Sequence, residues 1–126
     1  MRLSSLAAPL ALVLALALTS CGGNDDAEPA GSQGATQDGD SVALTVTRDG
    51  DEFTPNGERV ELAVDQTLVL TIDADEAGEL HVHSTPEQEI EYDAGTSEHE
   101  LVIDRPGVVE VESHEPDVVL LQLEVR

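Results

Sequence analysis

From Ser41 to the C-terminus, apolar residues alternate with polar ones in short runs broken by turn residues. A period of two over four to eight residues is the pattern of half-buried strands and admits little else. Val42, Leu44 and Val46 share one face of the first run, and Asp49-Gly50-Asp51 turns the chain. Phe53-Thr54-Pro55 is extended and Asn56-Gly57 turns it again. Val60, Leu62 and Val64 alternate with Glu61 and Ala63 before a tight connection at Asp65-Gln66. Thr67 to Ile72 is apolar on both faces, and an acidic loop runs from Asp73 to Gly78. Further strands are expected at 79–83, around Ile90 and Tyr92, at 101–103, at 108–111 and at 118–125. The last puts Leu121, Leu123 and Val125 on one face. No window shows a helical period. The pattern predicts an all-β fold, a two-sheet sandwich of seven or eight mostly antiparallel strands. With Phe53 and Tyr92 its only aromatics, the core must be Val, Leu and Ile, each worth about 1.5–3 kcal/mol when fully buried.

The first forty residues are of another kind. Arg2 precedes an apolar run from Leu6 to Leu18, too short to span a bilayer core, which needs about 20 residues. It has the length of a secretory h-region. The run ends in Leu18-Thr19-Ser20-Cys21, which resembles a lipobox: an aliphatic residue, two small residues and the cysteine that accepts a diacylglycerol. Residues 1–20 are therefore read as a lipoprotein signal peptide and Cys21 as the lipidated N-terminus. A second acyl chain makes such anchoring stable. Residues 22–40 contain no Val, Ile, Leu or aromatic residue and cannot offset chain entropy by burial, so 21–40 is expected to be a disordered acidic tether. Its reach is roughly 25 Å. The organisation expected is signal peptide 1–20, tether 21–40 and folded domain 41–126. The location expected is the cell envelope, on the outer face of the cytoplasmic membrane.

Charge narrows the partners. The chain holds 27 Asp and Glu against 5 Arg and Lys, with a formal net charge of −22. Phosphate backbones would be repelled, so nucleic acid is excluded as a partner. Anionic headgroups are disfavoured too, and the lipid rather than the protein surface makes the membrane contact. Cations and basic partners are favoured. Cys21 is the only cysteine, so its acylation leaves neither a disulfide nor a thiolate ligand.

The residues that can carry chemistry are few. His81 and His83 stand two apart in a strand, so both leave the face opposite Leu80 and Val82. Neutral imidazoles on one face suit Cu²⁺ or Zn²⁺. A Pro106-Gly107 turn feeds a strand that ends at Ser113-His114. His99 shares the alternation of Leu101 and Ile103 and is read as a structural residue near the sheet rim. No Gly-x-Ser-x-Gly sequence or phosphate-cradling loop is present. Ser113 beside His114 does not make a dyad, which needs a base within about 3 Å and an orienting group behind it. No enzymatic activity is expected.

Taken with their spacing, His81 or His83, the strand glycine Gly107, Ser113 and His114 resemble the pattern of the cupredoxin family. The resemblance spans Ser41 to Arg126 and implies a cupredoxin-like Greek-key sandwich. It also implies a metal site near His81, His83 and His114, in the manner of envelope domains associated with metal uptake. The family's copper cysteine falls on Ser113, and no methionine follows. A blue-copper centre requires the thiolate, so electron transfer through a type 1 site is excluded. What survives is a histidine site completed by water or by Glu79, Glu112 or Glu115, holding copper(II) ahead of zinc. Two readings follow. One is a lipid-anchored domain that binds Cu(II) for buffering or for delivery to an envelope transport or redox protein. The other is a metal-free interaction or envelope-structural domain on the same scaffold. A shared ion demands that the imidazole nitrogens of His114 and of His81 or His83 come within about 5 Å, given metal–nitrogen bonds of 2.0–2.1 Å.

Overall fold

A computed structural model describes residues 34–126; the signal-peptide segment, Cys21 and most of the tether lie outside the described residues. Ten strands follow in order: β1 (Thr36–Asp38), β2 (Ser41–Asp49), β3 (Glu52–Thr54), β4 (Glu58–Leu62) and β5 (Thr67–Ala74). They continue as β6 (Gly78–Val82), β7 (Gln88–Tyr92), β8 (Gly95–Val102), β9 (Gly107–His114) and β10 (Asp117–Val125). They form two five-stranded sheets. One has the order β1-β2-β5-β8, with β3 also paired to β2; the other has the order β4-β10-β9-β6-β7. Most pairings are antiparallel, but β2 runs parallel to β5 and β4 parallel to β10.

The alternation sets the core. Val42, Leu44 and Val46 of β2 and Leu68, Leu70 and Ile72 of β5 face inward from the first sheet. Val60 and Leu62 of β4, Leu80 and Val82 of β6, and Val109 and Val111 of β9 meet them from the second. In β10, Leu120 and Leu121 are both buried because the register with β9 shifts between Val119 and Leu121, a bulge that turns two successive side chains inward.

Three expectations need correction. The strand count is ten, not seven or eight, because β1 and β3 are three residues each and lack a readable alternation. β1 lies inside the segment expected to be a disordered tether. It forms a hairpin with Ser41–Ala43 through Gly39, whose φ of 63° suits the turn, and the Ser41 hydroxyl donates to the Asp38 carbonyl at 2.8 Å. Val64 does not continue the inward row of Val60 and Leu62. β4 ends at Leu62, and Asp65 adopts φ 64° in a turn closed by Gln66 N–H donating to the Ala63 carbonyl at 3.0 Å.

The same alternation carries Arg48 inward after Val46, at the end of β2, where it is 6% exposed. Its Nε–H donates to the Gly50 carbonyl at 3.0 Å, and Nη1 donates to the Ala77 carbonyl and the Tyr92 hydroxyl at 3.2 and 3.1 Å. Nη2 pairs with Glu76 and donates to the Glu115 carbonyl at 3.2 Å. The guanidinium also lies 5.4 Å from the Phe53 ring centroid, a cation–π contact. Burial is the largest single influence on this group and disfavours its charge. The Tyr92 hydrogen bond and the charges of Tyr92, Glu76 and Asp75 together outweigh it and raise its pKa. One side chain thus ties the end of β2 to the β5–β6 loop, to β7 and to the β9–β10 loop. Gly78 leaves room for it: a Cβ there would meet the Tyr92 hydroxyl, and Arg48 Nη1 at 2.6 Å.

Candidate metal centre

β6 is an inner strand of the second sheet, flanked by β7 and β9. Leu80 and Val82 are fully buried, which leaves Glu79, His81 and His83 on the outer face. His81 pairs with Glu89 on β7 and Glu112 on β9. On β9 the inward residues are Val109, Val111 and Ser113, so Glu110, Glu112 and His114 share the outer face with the β6 histidines. The hairpin between β6 and β7 adds Glu87. Sheet register, not sequence proximity, builds this group.

His81 is the most sheltered of the three outer histidines, its side chain 19% exposed. Its Nε2 lies 2.6 Å from Glu79 Oε1, and its Nδ1 lies 3.3 Å from Glu87 Oε1 and 3.9 Å from Glu89 Oε1. The Glu79 contact is shorter, but the hydrogen bond with Glu87 does most to raise the His81 pKa, followed by the bond and charge of Glu79 and the charge of Glu89. His83 Nε2 lies 2.6 Å from Glu112 Oε1, and His114 Nε2 lies 3.5 Å from the same oxygen. The His83 hydrogen bond holds the Glu112 carboxyl below its usual range, aided by the charges of His83, His114 and His81.

The rings of His81 and His114 meet edge to face with centroids 4.4 Å apart. They come from two strands and lie about thirty residues apart in the chain, as a shared site requires. His83 is not part of that contact; Glu112 holds it. Among the described residues, the one set of three His, Cys, Asp or Glu whose ligand atoms all lie within 4.8 Å is Glu79, His81 and Glu89. The compact donor set is therefore one imidazole and two carboxylates, with His114 against the imidazole, rather than three histidines around one point. Glu89 and Glu87 were not among the carboxylates expected from the sequence, because their approach to His81 depends on the β6–β7 register. Glu79 and Glu112 do contact histidines. Glu115 contributes its backbone instead: its carbonyl accepts from Arg48, and its N–H donates to Ser113 Oγ at 3.3 Å.

Ser113, at the position of the family's copper cysteine, is 1% exposed and points inward, whereas His114 and Glu112 point outward. A hydroxyl at that point supplies no thiolate, and the guanidinium of Arg48 lines the same cleft of about 730 Å³ with Ser113, Glu79, His81 and His114. The residues present do not fit a type 1 copper centre. They do fit a divalent ion held by imidazole nitrogen and carboxylate oxygen, the donor set of Cu(II) and Zn(II). His99 is not among the histidines that meet at this site; it is half-buried on β8, with its Nε2 2.9 Å from the Ser97 hydroxyl, and lines a separate cleft with Glu89 and Glu91 of β7.

No family model matches this sequence, and no curated protein matches it. Solved structures do match its shape. A copper-binding protein determined by NMR in its apo form is similar with a TM-score of 0.58 at 13% identity, covering 75% of this chain and 97% of its own. The fold is cupredoxin-like. A chain in a cryo-EM structure of a heme-copper terminal oxidase dimer is similar at TM-score 0.51 and 14% identity, covering 79% of this chain and 74% of its own. A multi-copper oxidase from Pediococcus acidilactici is similar at TM-score 0.50 and 14% identity, over 77% of this chain but only 28% of the oxidase. At these identities the likeness concerns the sandwich and not its chemistry.

Proposed function

We propose that this chain is a lipid-anchored domain of the cell envelope that binds Cu(II) on the outer face of its second sheet. In this reading it buffers the ion or delivers it to an envelope transport or redox protein, and it is neither a blue-copper electron carrier nor an enzyme. The observation that carries the reading is the gathering of His81 and His114, with ring centroids 4.4 Å apart, against the carboxylates of Glu79 and Glu89. A bound ion would supply charge for those carboxylates to neutralise, and His81 would hold it through whichever nitrogen a carboxylate releases. The wider acidity of the chain raises the local concentration of cations. The lipobox-like Leu18-Thr19-Ser20-Cys21 sequence supports this location, since acylation of Cys21 would fix the domain outside the membrane.

Titrating Cu²⁺ into the metal-free protein while following its melting temperature tests this. Binding to the folded state must stabilise it. The expected result is a rise of several degrees at micromolar Cu²⁺, abolished by His81→Ala with His114→Ala. An unchanged melting temperature together with less than about a tenth of an equivalent of copper after dialysis would sink the reading. One observation favours the metal-free alternative. Each outer histidine already lies against a carboxylate, so the cluster is occupied by its own contacts and could serve an interaction surface. That alternative predicts the flat titration.

A further inference from the structure

Three segments carry the candidate ligands: β6 with Glu79 and His81, β7 with Glu89, and the end of β9 with His114. Strand pairing does not hold all of them together. Among the described residues, β6 and β9 pair at Val82–Val111 and His81–Glu112 and no further toward Gly78. Continued by two residues, that register would set Glu79 opposite His114. Where the ladder stops, one side chain from the other sheet spans the gap. Arg48 Nη1 donates to the Ala77 carbonyl at 3.2 Å, two residues before Glu79. It also donates to the Tyr92 hydroxyl at 3.1 Å, on the strand that carries Glu89. Arg48 Nη2 donates at 3.2 Å to the carbonyl of Glu115, the residue after His114. Ser113 Oγ accepts the N–H of the same Glu115 at 3.3 Å. From this we infer that Arg48, assisted by Ser113, is a positioning residue of the metal centre: it holds Glu79 and His114 beside His81 without touching the ion. This deepens the reading above and rests on it.

The shape of the guanidinium fits this role. Its five N–H groups meet five acceptors, on Gly50, Ala77, Tyr92, Glu76 and Glu115. A lysine ammonium offers three donors from one point and cannot span that set. Arg48 is 6% exposed and lines the floor of the cleft that His81 and His114 border. A guanidinium has no lone pair to give a metal, so it acts only through the groups it holds. Its charge is answered by Glu76, which limits its repulsion of a cation bound above it. Gly78 brings β6 close: a Cβ there would lie 2.6 Å from Arg48 Nη1, directly before Glu79 in the chain. His114, by contrast, is the last residue of β9 and its side chain is 53% exposed, so little else fixes it. Groups that orient metal ligands in this way typically change metal affinity by about 10–100-fold.

The test uses the untagged chain carrying Cys21→Ser, so that no thiol competes for copper. Arg48→Lys and Ser113→Ala are made in that parent. The control is Leu68→Ala, which opens the core at the other end of β5 from Ala74, the residue paired with Arg48. Each is measured below its melting temperature, with circular dichroism verifying the fold. In the metal-free protein, the nuclear Overhauser contact between the His81 and His114 rings reads their placement directly. Cu²⁺ affinity and the copper hyperfine splitting in electron paramagnetic resonance read the centre. Arg48→Lys should lose the ring contact, change the splitting and weaken Cu²⁺ binding about tenfold or more. Ser113→Ala should do the same to a smaller extent. Leu68→Ala should lower the melting temperature and leave all three readouts as in the parent. Parent-like readouts in a folded Arg48→Lys, or in Ser113→Ala should Arg48→Lys not fold, would overturn the positioning role and leave the proposed function standing. Equal losses in Leu68→Ala would do the same. No copper uptake by the parent would overturn the proposed function and this inference with it.

Discussion

The two sheets obey one rule and present opposite surfaces. On the first sheet, alternation buries Val42, Leu44 and Val46 and leaves Thr45 and Thr47 outside, while Leu68, Leu70 and Ile72 of β5 turn inward and Thr67, Val69 and Thr71 turn outward. On the second, it buries Leu80, Val82, Val109, Val111 and Ser113 and leaves Glu79, His81, His83, Glu110, Glu112 and His114 outside. Pleat geometry fixes which residues face water; the choice of those residues distinguishes an outer face of Thr and Val edged by Glu98 and Glu100 of β8 from one that sets His81, His83 and His114 among glutamates. The lesson is that the fold and the chemistry of this chain are written in different halves of the same alternation. A cupredoxin-like sandwich follows from the inward half, and any metal site from the outward half of one sheet.

Arg48 connects the two, and its loss should have the largest effect. Arg48→Met removes the donors for Gly50, Ala77, Tyr92 and Glu115 while keeping most of the side-chain volume. Leaving buried acceptors without partners should cost about 3–5 kcal/mol in total. For a domain of this size that lowers the melting temperature by more than about 10 °C, which differential scanning calorimetry would read. A loss of only a degree or two would show that the sheets close without this tie.

Gly78→Ala should come next. Its Cβ meets the Tyr92 hydroxyl and Arg48 Nη1, so the strand that carries His81 must shift or the guanidinium must move. Overpacking of this kind costs about 1–3 kcal/mol. Chemical denaturation would measure it, and a neutral or stabilising result would mean that the cleft relaxes freely.

Comparing matched substitutions on the two outer faces sharpens the contrast further. His81→Ala should weaken Cu²⁺ binding by about tenfold or more, or at least 1.4 kcal/mol. Thr71→Ala, on the other sheet, should leave it unchanged. Isothermal titration calorimetry decides between this and diffuse binding by acidic residues, for which both variants would bind like the wild type.

The smallest effect is on pH dependence in the absence of metal. The His81 pKa is raised above its ordinary 6.5, so its contacts with Glu87 and Glu79 stabilise the fold below that value and lose their effect as pH rises through the raised one. The Glu112 pKa is lowered below its ordinary 4.5, so its contact with His83 stabilises above that value and fades as pH falls through the depressed one. Both contributions coexist between about pH 4.5 and 6.5. Melting curves should therefore peak in that window, and His81→Gln should flatten the decline on the alkaline side. An identical alkaline slope in that variant would remove His81 from the explanation.

Much of this was legible in the sequence, for identifiable reasons. Val42-Leu44-Val46 and Leu121-Leu123-Val125 announce strands because the side-chain period is two, and His81 and His83 share a face for the same reason. The inward place of Arg48 was equally readable, since it continues the row of Val42, Leu44 and Val46, yet a lone charge in an acidic chain draws no notice without its partners. β1 and β3 are too short and polar to show alternation. The parallel pairs β2–β5 and β4–β10 join segments whose intervening lengths say nothing of register. Glu87 and Glu89 escaped because their distance to His81 is a property of the β6–β7 hairpin, and His83 was grouped with His81 because spacing fixes a face but not which carboxylate a ring turns toward.

Amide NMR during addition of substoichiometric Cu²⁺ reaches the central claim most directly, because the paramagnetic ion broadens only nearby resonances. Signals of Glu79, His81, Glu89, Glu112 and His114 should vanish first while Thr45 and Thr71 stay sharp. Broadening that begins at scattered Asp and Glu residues, with β6 and β9 untouched, would contradict it.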